Sequence, residues 1–325
     1  MNYKERFTQL FEHKMSDEAM REFLVALKLD EHTSVNAIAI AAEVMRQHAI
    51  ALPISEELRQ KSIDIVGTGG DKIGSFNISS TSALVAAACG ASVAKHGNRS
   101  ITSKSGSADL LEELGIRLDL NLEQSAKLLE ESGFTFMFAQ NHHPAMRFIG
   151  PIRKSIDDKT IFNILGPLTN PAGVQKYMLG VFDKSFVPKM LEALKINGAT
   201  SALVVSSSEG MDEIGLSGVT YASQLRDGVV HEFEIDPQEY GMNLQPLQAI
   251  LGGDVKQNAQ ITYNILNNEA TEAQKDIVVL NVAASLMVDG MARDIQDGIE
   301  MAREALLLKR AKKKLEQIVE ISNKL

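Results

Sequence analysis

The sequence contains almost no cysteine and no long hydrophobic run. Cys89 is the only cysteine, which excludes an internal disulfide framework and a cysteine-based zinc cluster. The longest small apolar stretch, residues 83–94, is shorter than the ~20 residues that a membrane helix needs. The first residues are polar and do not resemble a signal peptide. We therefore expect a soluble, cytoplasmic protein without a membrane partner.

Positive charge is also in deficit. The 325 residues include 33 Lys and Arg against 42 Asp and Glu, a formal net charge of −9. A chain with this average field repels phosphodiesters, so we expect no nucleic-acid partner. A hydrophobic share of 44% and a charged share of 23% are typical of a soluble globular protein that can bury a large core.

The order of the sequence patterns predicts two regions. Residues 1–62 contain only helical patterns, with helix starts at Ser16 and Ser34. From Ile63 onward, short β-rich runs alternate with helices, which predicts an α/β domain over residues 63–325 with a mostly parallel central sheet wrapped by helices. A hairpin is predicted over residues 220–235, with its turn at Asp227 and Gly228. We predict a helical tail from Gln274.

A glycine-rich loop follows the first predicted strand, in DIVGTGGDKIGSFNISS at residues 64–80. Glycines let backbone N–H groups approach a ligand closely, and a helix start adds positive charge, which suits a phosphate. Ser75 and Phe76 follow Gly74, so this is not a Walker A loop, and Lys72 stands where the dinucleotide fingerprint needs glycine. Asp71 suits sugar hydroxyls or a metal-bound pyrophosphate. The alternative is a tight βα turn that needs glycines for geometry alone.

A second polar loop follows the next predicted strand, in KHGNRSITSKSGSADLLEELG at residues 95–115. It combines Lys95 and Arg99 with an amide and several hydroxyls, a set that can hold a multiply charged phosphate ligand. The alternative is an exposed basic turn. We favour ligand binding because no acidic partner is expected beside these cations.

Both loops, together with HHPAM and FNILGPLTNP, resemble the anthranilate phosphoribosyltransferase family of tryptophan biosynthesis. The resemblance runs from about Ile38 to the C-terminal helices, and KHGNRS with FNILGPLTNP is its most specific part. It implies a small all-helical domain, completed by part of residues 159–182, packed on a larger α/β domain. It also implies transfer of the phosphoribosyl group of 5-phosphoribosyl-1-diphosphate (PRPP) to the amine of anthranilate, with Mg²⁺, two ions accompanying PRPP. A homodimer is implied, and an anthranilate synthase amidotransferase subunit is a further possible partner.

The resemblance carries over to individual positions. The positions matching PRPP contacts are Gly67, Gly70, Asp71, Ser75, Asn77, Ile78, Ser79, Ser80, Lys95, His96, Gly97, Asn98, Arg99, Ser100, Ile101, Thr102, Ser103 and Ser107. The positions matching anthranilate contacts are Gly67, Asn98, His143, Arg153, Gly166 and Pro167, with His96 lining the same site. The positions matching metal ligands are Ser79, Asp212 and Glu213. No catalytic base is named, and Lys95 and Asp71 are expected to stabilise the transition state.

Other interpretations of these residues stay open at this point. His142 and His143 resemble a metal pair, although adjacent residues point in different directions. Asp212 and Glu213 can be ordinary loop carboxylates. The chain departs from the family pattern at residues 206–209, where Ser-Ser-Ser-Glu replaces His-Gly-any residue-Asp. A nucleoside phosphorylase of the same fold and a nucleic-acid-binding relative are the rival functions.

Overall fold

A β-sheet forms the centre of the protein, whose computed structural model describes residues 2–99 and 104–325. Within these ranges the sheet has seven strands. They are β1 Ser62–Gly67, β2 Ser92–Gly97, β3 Phe134–Phe138, β4 Lys176–Gly180, β5 Ser201–Ser207, β6 Thr220–Arg226 and β7 Val229–Ile235. The order is β3-β2-β1-β4-β5-β6-β7. Strands β1 to β5 run parallel to one another, β6 pairs antiparallel with β5, and β7 pairs antiparallel with β6. The predicted α/β fold with a mostly parallel sheet is confirmed.

Helices cover both faces of the sheet. Their bounds are α1 Tyr3–Phe11, α2 Asp17–Val25, α3 Val35–Gln47, α4 Glu56–Lys61, α5 Ile78–Cys89, α6 Ser107–Glu113, α7 Leu122–Ser132, α8 Ala139–His142, α9 Met146–Lys154, α10 Phe162–Leu165, α11 Val187–Ile196, α12 Val255–Leu266, α13 Glu272–Asp289, α14 Ile295–Leu307 and α15 Arg310–Lys324. Helices α5 and α12 to α15 share one apolar core with Ile63 and Ile65 of β1. The opposite face of β1, at Val66, shares a second core with α1 to α3 and α11. The strands predicted from the β-rich runs at β1 and β2 are confirmed, although Asp64 interrupts the apolar residues of β1 and Lys95 with His96 those of β2.

The N-terminal helices connect to the segment before α10. Leu29 N donates to Lys159 O at 2.9 Å, and Ile161 N donates to Leu27 O at 2.9 Å. This short antiparallel pairing places residues 27–29 against residues 159–161. The division of the chain at residue 62, with part of residues 159–182 added to the helical part, stays a prediction.

Local sequence signals agree with the structure in several places. Helix α2 begins after Ser16 and α3 after Ser34, whose hydroxyls accept from the N–H groups of Ala19 and Ala37. The predicted hairpin is β6 and β7, and Asp227 and Gly228 both have positive φ, as a two-residue turn requires. The C-terminal helical region begins at Glu272 rather than Gln274. Strand β4 and helix α12 were not predicted, because both are short or weakly patterned. No helix in the described ranges is both long and apolar enough to cross a bilayer.

Candidate active site

The carboxyl ends of the parallel strands lie along one edge of the sheet. The chain leaves β1 toward β2 and β3 on one side, whereas β4 and β5 lie on the other side of β1. The strand order therefore reverses between β1 and β4, the position at which parallel sheets open a ligand crevice. Gly67 ends β1 beside Gly180, which ends β4. The loops that follow these strands build the site.

The glycine-rich loop runs from Gly67 to the start of α5. Gly69 and Gly70 have φ of 68° and 77°, the left-handed region that favours glycine. Lys159 Nζ donates to Gly70 O at 3.1 Å and lies 3.3 Å from the centre of the Phe182 ring. Partial burial, and then Lys72, lower the pKa of Lys159. Sequence reasoning missed this cation, because nothing local links residue 159 to the glycine loop.

An acidic loop after β5 crosses over the ends of β1 and β4. Asp212 Oδ2 accepts from Gly69 N at 2.6 Å, and Glu213 Oε1 accepts from Ser79 N at 3.0 Å. A β carbon on Gly67 would overlap the Asp212 carboxylate, and one on Gly180 would overlap the Asp212 backbone carbonyl. Both strand ends therefore need glycine for space rather than for unusual backbone angles. The departure at residues 206–209 leaves these contacts in place.

The acidic loop is electrostatically unfavourable by itself. Burial raises the pKa of Asp212, and the neighbouring carboxylate of Asp71 raises it further. Burial raises the pKa of Glu213 as well, with Asp212 as the next cause. Two buried carboxyls of like charge hold protons more strongly than free ones do. The pair is thus suited to a cation.

Lys95 is the buried cation nearest to these groups. Its Nζ donates to Ile65 O at 2.5 Å and to Ser79 Oγ at 3.3 Å. Burial lowers its pKa, and the charge of Asp64 partly opposes that shift. The ammonium group is thus anchored beneath the start of α5, next to Ser79.

Asp64 is a buried carboxyl that the sequence analysis did not single out. It accepts from His96 N at 3.2 Å and from Asn170 Nδ2 at 2.7 Å. Asn170 Nδ2 also donates to Ala94 O at 2.9 Å. Burial raises the pKa of Asp64 to about 6, although Lys95 acts against the shift. Asp64 therefore joins β1, the end of β2 and the LGPLTNP segment.

The loop after β2 differs from expectation at Arg99. Its guanidinium donates to Asp109 Oδ1 at 2.8 Å and to Glu112 at 2.5 and 2.8 Å, and it lies over the Phe138 ring. The expectation that no acidic residue lies beside these cations is wrong, because α6 places Asp109 and Glu112 next to Arg99. Arg99 as a PRPP contact stays a prediction. Ser100, Ile101, Thr102 and Ser103 lie outside the described residues.

The other positions matched to PRPP have different surroundings. The side chains of Ile78 and Ser80 are buried in the core, so only their backbone can face a ligand. Gly97 packs closely on Ser107 and the Phe136 ring, which leaves no room for a β carbon. Asn98 O accepts from Ser107 Oγ at 3.2 Å. Ser75 pairs with Leu251, and Asn77 accepts from Asn258 Nδ2.

The positions matched to anthranilate lie on the other side of the crevice. His96 Nδ1 lies 3.1 Å from Gly166 O, which can only accept, so Nδ1 carries the proton. Its buried Nε2 has no partner in the described residues, and its ring lies 5.2 Å from that of His143. Burial, and then the charge of His143, lower the pKa of His96 well below its ordinary value. His96 is therefore neutral at pH 7, with a free lone pair on Nε2.

His143 and His142 occupy different environments, and they do not form a metal pair. Burial lowers the pKa of His143 to about 4, with His142 as the next cause. The Thr169 backbone acts in the opposite direction, but it makes no hydrogen bond of acceptable geometry to the ring. His142 Nδ1 lies 2.7 Å from Ile50 O. The described residues contain no group of three His, Cys, Asp or Glu that is arranged to hold a metal.

Arg153 provides a half-buried positive charge at the end of α9. Its Nη2 donates to Phe162 O at 3.2 Å, and its guanidinium lies 5.3 Å from the centre of the Phe162 ring. Burial lowers its pKa. None of the carboxylates in the described ranges forms an ion pair with it, in contrast to Arg99. Helix α10 connects Phe162 to Gly166 and the buried Pro167, so the segment that Arg153 contacts is also the one that contacts His96.

Comparison with known proteins identifies the family of this chain. The family model described as "Glycosyl transferase family, a/b domain" matches residues 59–310, so the α/β domain is that of a glycosyltransferase. The anthranilate phosphoribosyltransferase of Methanobrevibacter smithii is 43% identical over 99% of this chain and 96% of its own length. The chain belongs to the anthranilate phosphoribosyltransferase family.

Solved structures support the same assignment. The anthranilate phosphoribosyltransferase of Thermus thermophilus superposes with a TM-score of 0.91 at 38% identity, covering 99% of this chain and 94% of that one. The enzyme of Saccharomyces cerevisiae in complex with PRPP and Mg superposes with a TM-score of 0.86 at 27% identity, covering 98% of this chain and 91% of that one. The fold is therefore shared along nearly the whole chain.

Proposed function

We propose that this protein transfers the phosphoribosyl group of PRPP to the amine of anthranilate. The products are N-(5-phosphoribosyl)anthranilate and diphosphate, and the reaction belongs to tryptophan biosynthesis. The observation that carries the proposal is the connection between the acidic loop and the glycine loop. Two hydrogen bonds, from Gly69 N to Asp212 and from Ser79 N to Glu213, hold carboxylates against the backbone expected to bind a diphosphate.

The donor set fits Mg²⁺. Asp212 and Glu213 supply hard carboxylate oxygens, and each uses one oxygen to accept a backbone N–H. Mg²⁺ is usually bound by one or two carboxylates together with substrate phosphates and water. Burial raises the pKa of both carboxyls, and a nearby cation would favour their charged forms. When bound, Mg²⁺ would neutralise charge on the leaving diphosphate.

The glycine loop and Lys95 position PRPP. Backbone N–H groups at glycines and at the start of α5 suit phosphate oxygens. Lys95 lies beneath the same helix start, so its charge favours an anion there without occupying the crevice. Positive charge develops on the ribose ring as diphosphate departs, so preorganised donors around the leaving group lower the barrier. Asp71, next to these glycines, is available to the ribose hydroxyls.

Arg153 and the two buried histidines bind and orient anthranilate. A guanidinium is the side chain that recognises a carboxylate in bidentate fashion, and Arg153 has no acidic partner among the described residues. The aryl amine is neutral at pH 7, so no strong base is required before attack. His96 Nε2 offers an acceptor for a proton of the amine, and His143 lies beside it. Asn98, Gly67, Gly166 and Pro167 complete the proposed anthranilate site.

We also propose that the protein forms a homodimer, binds an amidotransferase subunit and lies in the cytoplasm. The family resemblance supports a homodimer, which light scattering on the purified protein tests directly. It also supports association with an anthranilate synthase amidotransferase subunit, which co-purification tests. The single cysteine supports a cytoplasmic location, and fractionation of the source cells tests it.

One assay tests the reaction. Anthranilate fluorescence should fall when PRPP and Mg²⁺ are added together to the purified protein. It should persist when either is omitted. Phosphate-dependent cleavage of a pyrimidine nucleoside, without loss of anthranilate, would instead identify a nucleoside phosphorylase and contradict the proposal.

A further inference from the structure

A late segment of the chain lies directly against the glycine loop. Phe76 N donates to Ile250 O at 3.2 Å, and Gly252 N donates to Gly74 O at 2.9 Å. Ser75 and Leu251 form the antiparallel bridge between these bonds. A β carbon on Gly252 would lie 2.7 Å from Phe76 Cα. The backbone of residues 250–252 thus forms a close-fitting support for residues 74–76.

Asn258, on the first turns of α12, extends this support with its side chain. It is 3% exposed. Its Oδ1 accepts from Gly253 N at 2.7 Å, and its Nδ2 donates to Asn77 Oδ1 at 2.9 Å. Because the N–H of Gly253 can only donate, the orientation of the Asn258 amide is determined, and its NH₂ group must face Asn77.

Asn77 connects the support to the second polar loop. Its Nδ2 donates to Ser105 O at 3.1 Å, and its Oδ1 accepts from Ser105 Oγ at 3.0 Å. The Asn77 side chain is thus occupied by protein partners on both of its polar atoms. One turn further along α5, the hydroxyls of Thr81 and Thr262 lie 2.9 Å apart, so α5 and α12 are joined a second time.

We infer that Asn258 is a positioning residue for PRPP, which it does not touch. Through Asn77 it holds the glycine loop and the turn at Ser105 in one arrangement. A ligand with two separated phosphate groups needs both loops in place at once, and a site displaced by about 1 Å can lose a large part of its effect. This role rests on the proposed function. In this arrangement Asn77 positions the two loops in addition to its expected place in the ligand site.

The test compares Asn258→Ala with Asn264→Ala on the same helix. The Asn264 side chain contacts Gln260 and does not reach the glycine loop, so its loss should leave PRPP binding unchanged. Loss of the Asn258 bonds should weaken PRPP binding, measured by titration calorimetry with Mg²⁺, by roughly 5- to 100-fold. The KM for anthranilate should stay within about twofold. Parent-like PRPP affinity in Asn258→Ala, or equal changes in both constants, would overturn the inference.

A double-mutant cycle with Asn77→Ala separates positioning from general destabilisation. If Asn258 acts through Asn77, the double variant should bind PRPP about as weakly as Asn77→Ala alone. Fully additive losses would contradict the inference. Should Asn258→Ala fail to fold, Gly252→Ala tests the same support from the backbone, and retained PRPP affinity there would again contradict it. A parent protein that does not bind PRPP would refute the proposed function instead.

Discussion

The carboxylate of Asp212 accepts a hydrogen bond from the backbone N–H of Gly69 at 2.6 Å, across 143 positions of sequence. This bond connects the loop after β5 with the loop after β1. The acidic loop and the glycine loop therefore act as one unit, and a change in either should affect binding at both.

Removal of the acidic charges should weaken the response to metal while the protein stays folded. In Asp212→Asn with Glu213→Gln, the amide oxygens can still accept from Gly69 and Ser79. Burial raises the pKa of both carboxyls, so neutral replacements should not lower the melting temperature of the free protein. We expect kcat to fall at least about tenfold, the equivalent of ~1.4 kcal/mol, and the response to added Mg²⁺ to weaken. The measurement is a Mg²⁺ titration of activity.

The matched control is Glu232→Gln with Glu234→Gln. These residues lie on the exposed strand β7, so the control removes the same formal charge at a distance from the site. It should keep the activity and the Mg²⁺ response of the parent. An unchanged titration in the Asp212 and Glu213 variant would show that the acidic loop does not bind the metal.

Gly180→Ala should displace the acidic loop, which contains Asp212. The new β carbon would overlap the backbone carbonyl of Asp212, and backbone cannot move aside as a flexible side chain can. We expect a loss of about 1–3 kcal/mol in the free energy of unfolding, measured with urea, and a weaker Mg²⁺ response. Gly150→Ala is the control, because apart from its chain neighbours and the backbone of its own helix no described atom would lie within 4 Å of a β carbon at that position. Equal stability of the two variants would contradict the close approach of Asp212.

Arg153→Ala should affect anthranilate and spare PRPP. Loss of a charged hydrogen bond is worth ~1.5–3 kcal/mol, so the KM for anthranilate should rise by roughly 10- to 150-fold. Steady-state kinetics with each substrate varied in turn measures this effect. Lys154→Ala is the control, since Lys154 is the exposed neighbour on the same helix. Equal shifts in both KM values would make Arg153 a structural residue.

His143 should make stability depend on pH in a defined window. Burial lowers its pKa from 6.5 to about 4, so the unfolded chain binds a proton that the folded chain does not between these values. This contribution to stability is present above pH 6.5 and is lost as pH falls toward 4. The difference in free energy of unfolding between His143→Gln and the parent should therefore be about 2 kcal/mol more favourable to the variant at pH 5 than at pH 7.5.

Urea unfolding of both proteins at the two pH values measures this gain. The exposed His231 on β7 supplies the control, because His231→Gln removes a histidine that water reaches in the folded protein. The comparison with His231→Gln separates the loss of the buried histidine from the loss of any histidine. A constant difference for His143→Gln would show that His143 is protonated as readily in the folded chain as in the unfolded one.

The sequence by itself determined the features that depend on neighbours along the chain. The buried strands β1 and β2 are short β-rich runs, each followed by a polar loop. Ser16 and Ser34 mark helix starts, and Asp227 with Gly228 marks the hairpin turn. The glycine loop and the start of the second polar loop follow strand ends directly, so their place at the sheet edge followed from the alternation of strands and helices.

Only the tertiary structure decided which distant groups meet. Parallel strands need long crossover connections, so the loops that are adjacent at the sheet edge are far apart in sequence. No local pattern could show that Asp212 lies over Gly67 and Gly180, that Lys159 reaches Gly70, or that Asn258 holds Asn77. Burial is decided in the same way: the pKa values of Asp64 and His143 depend on what the fold packs around them, and the sequence carries no local signal for that.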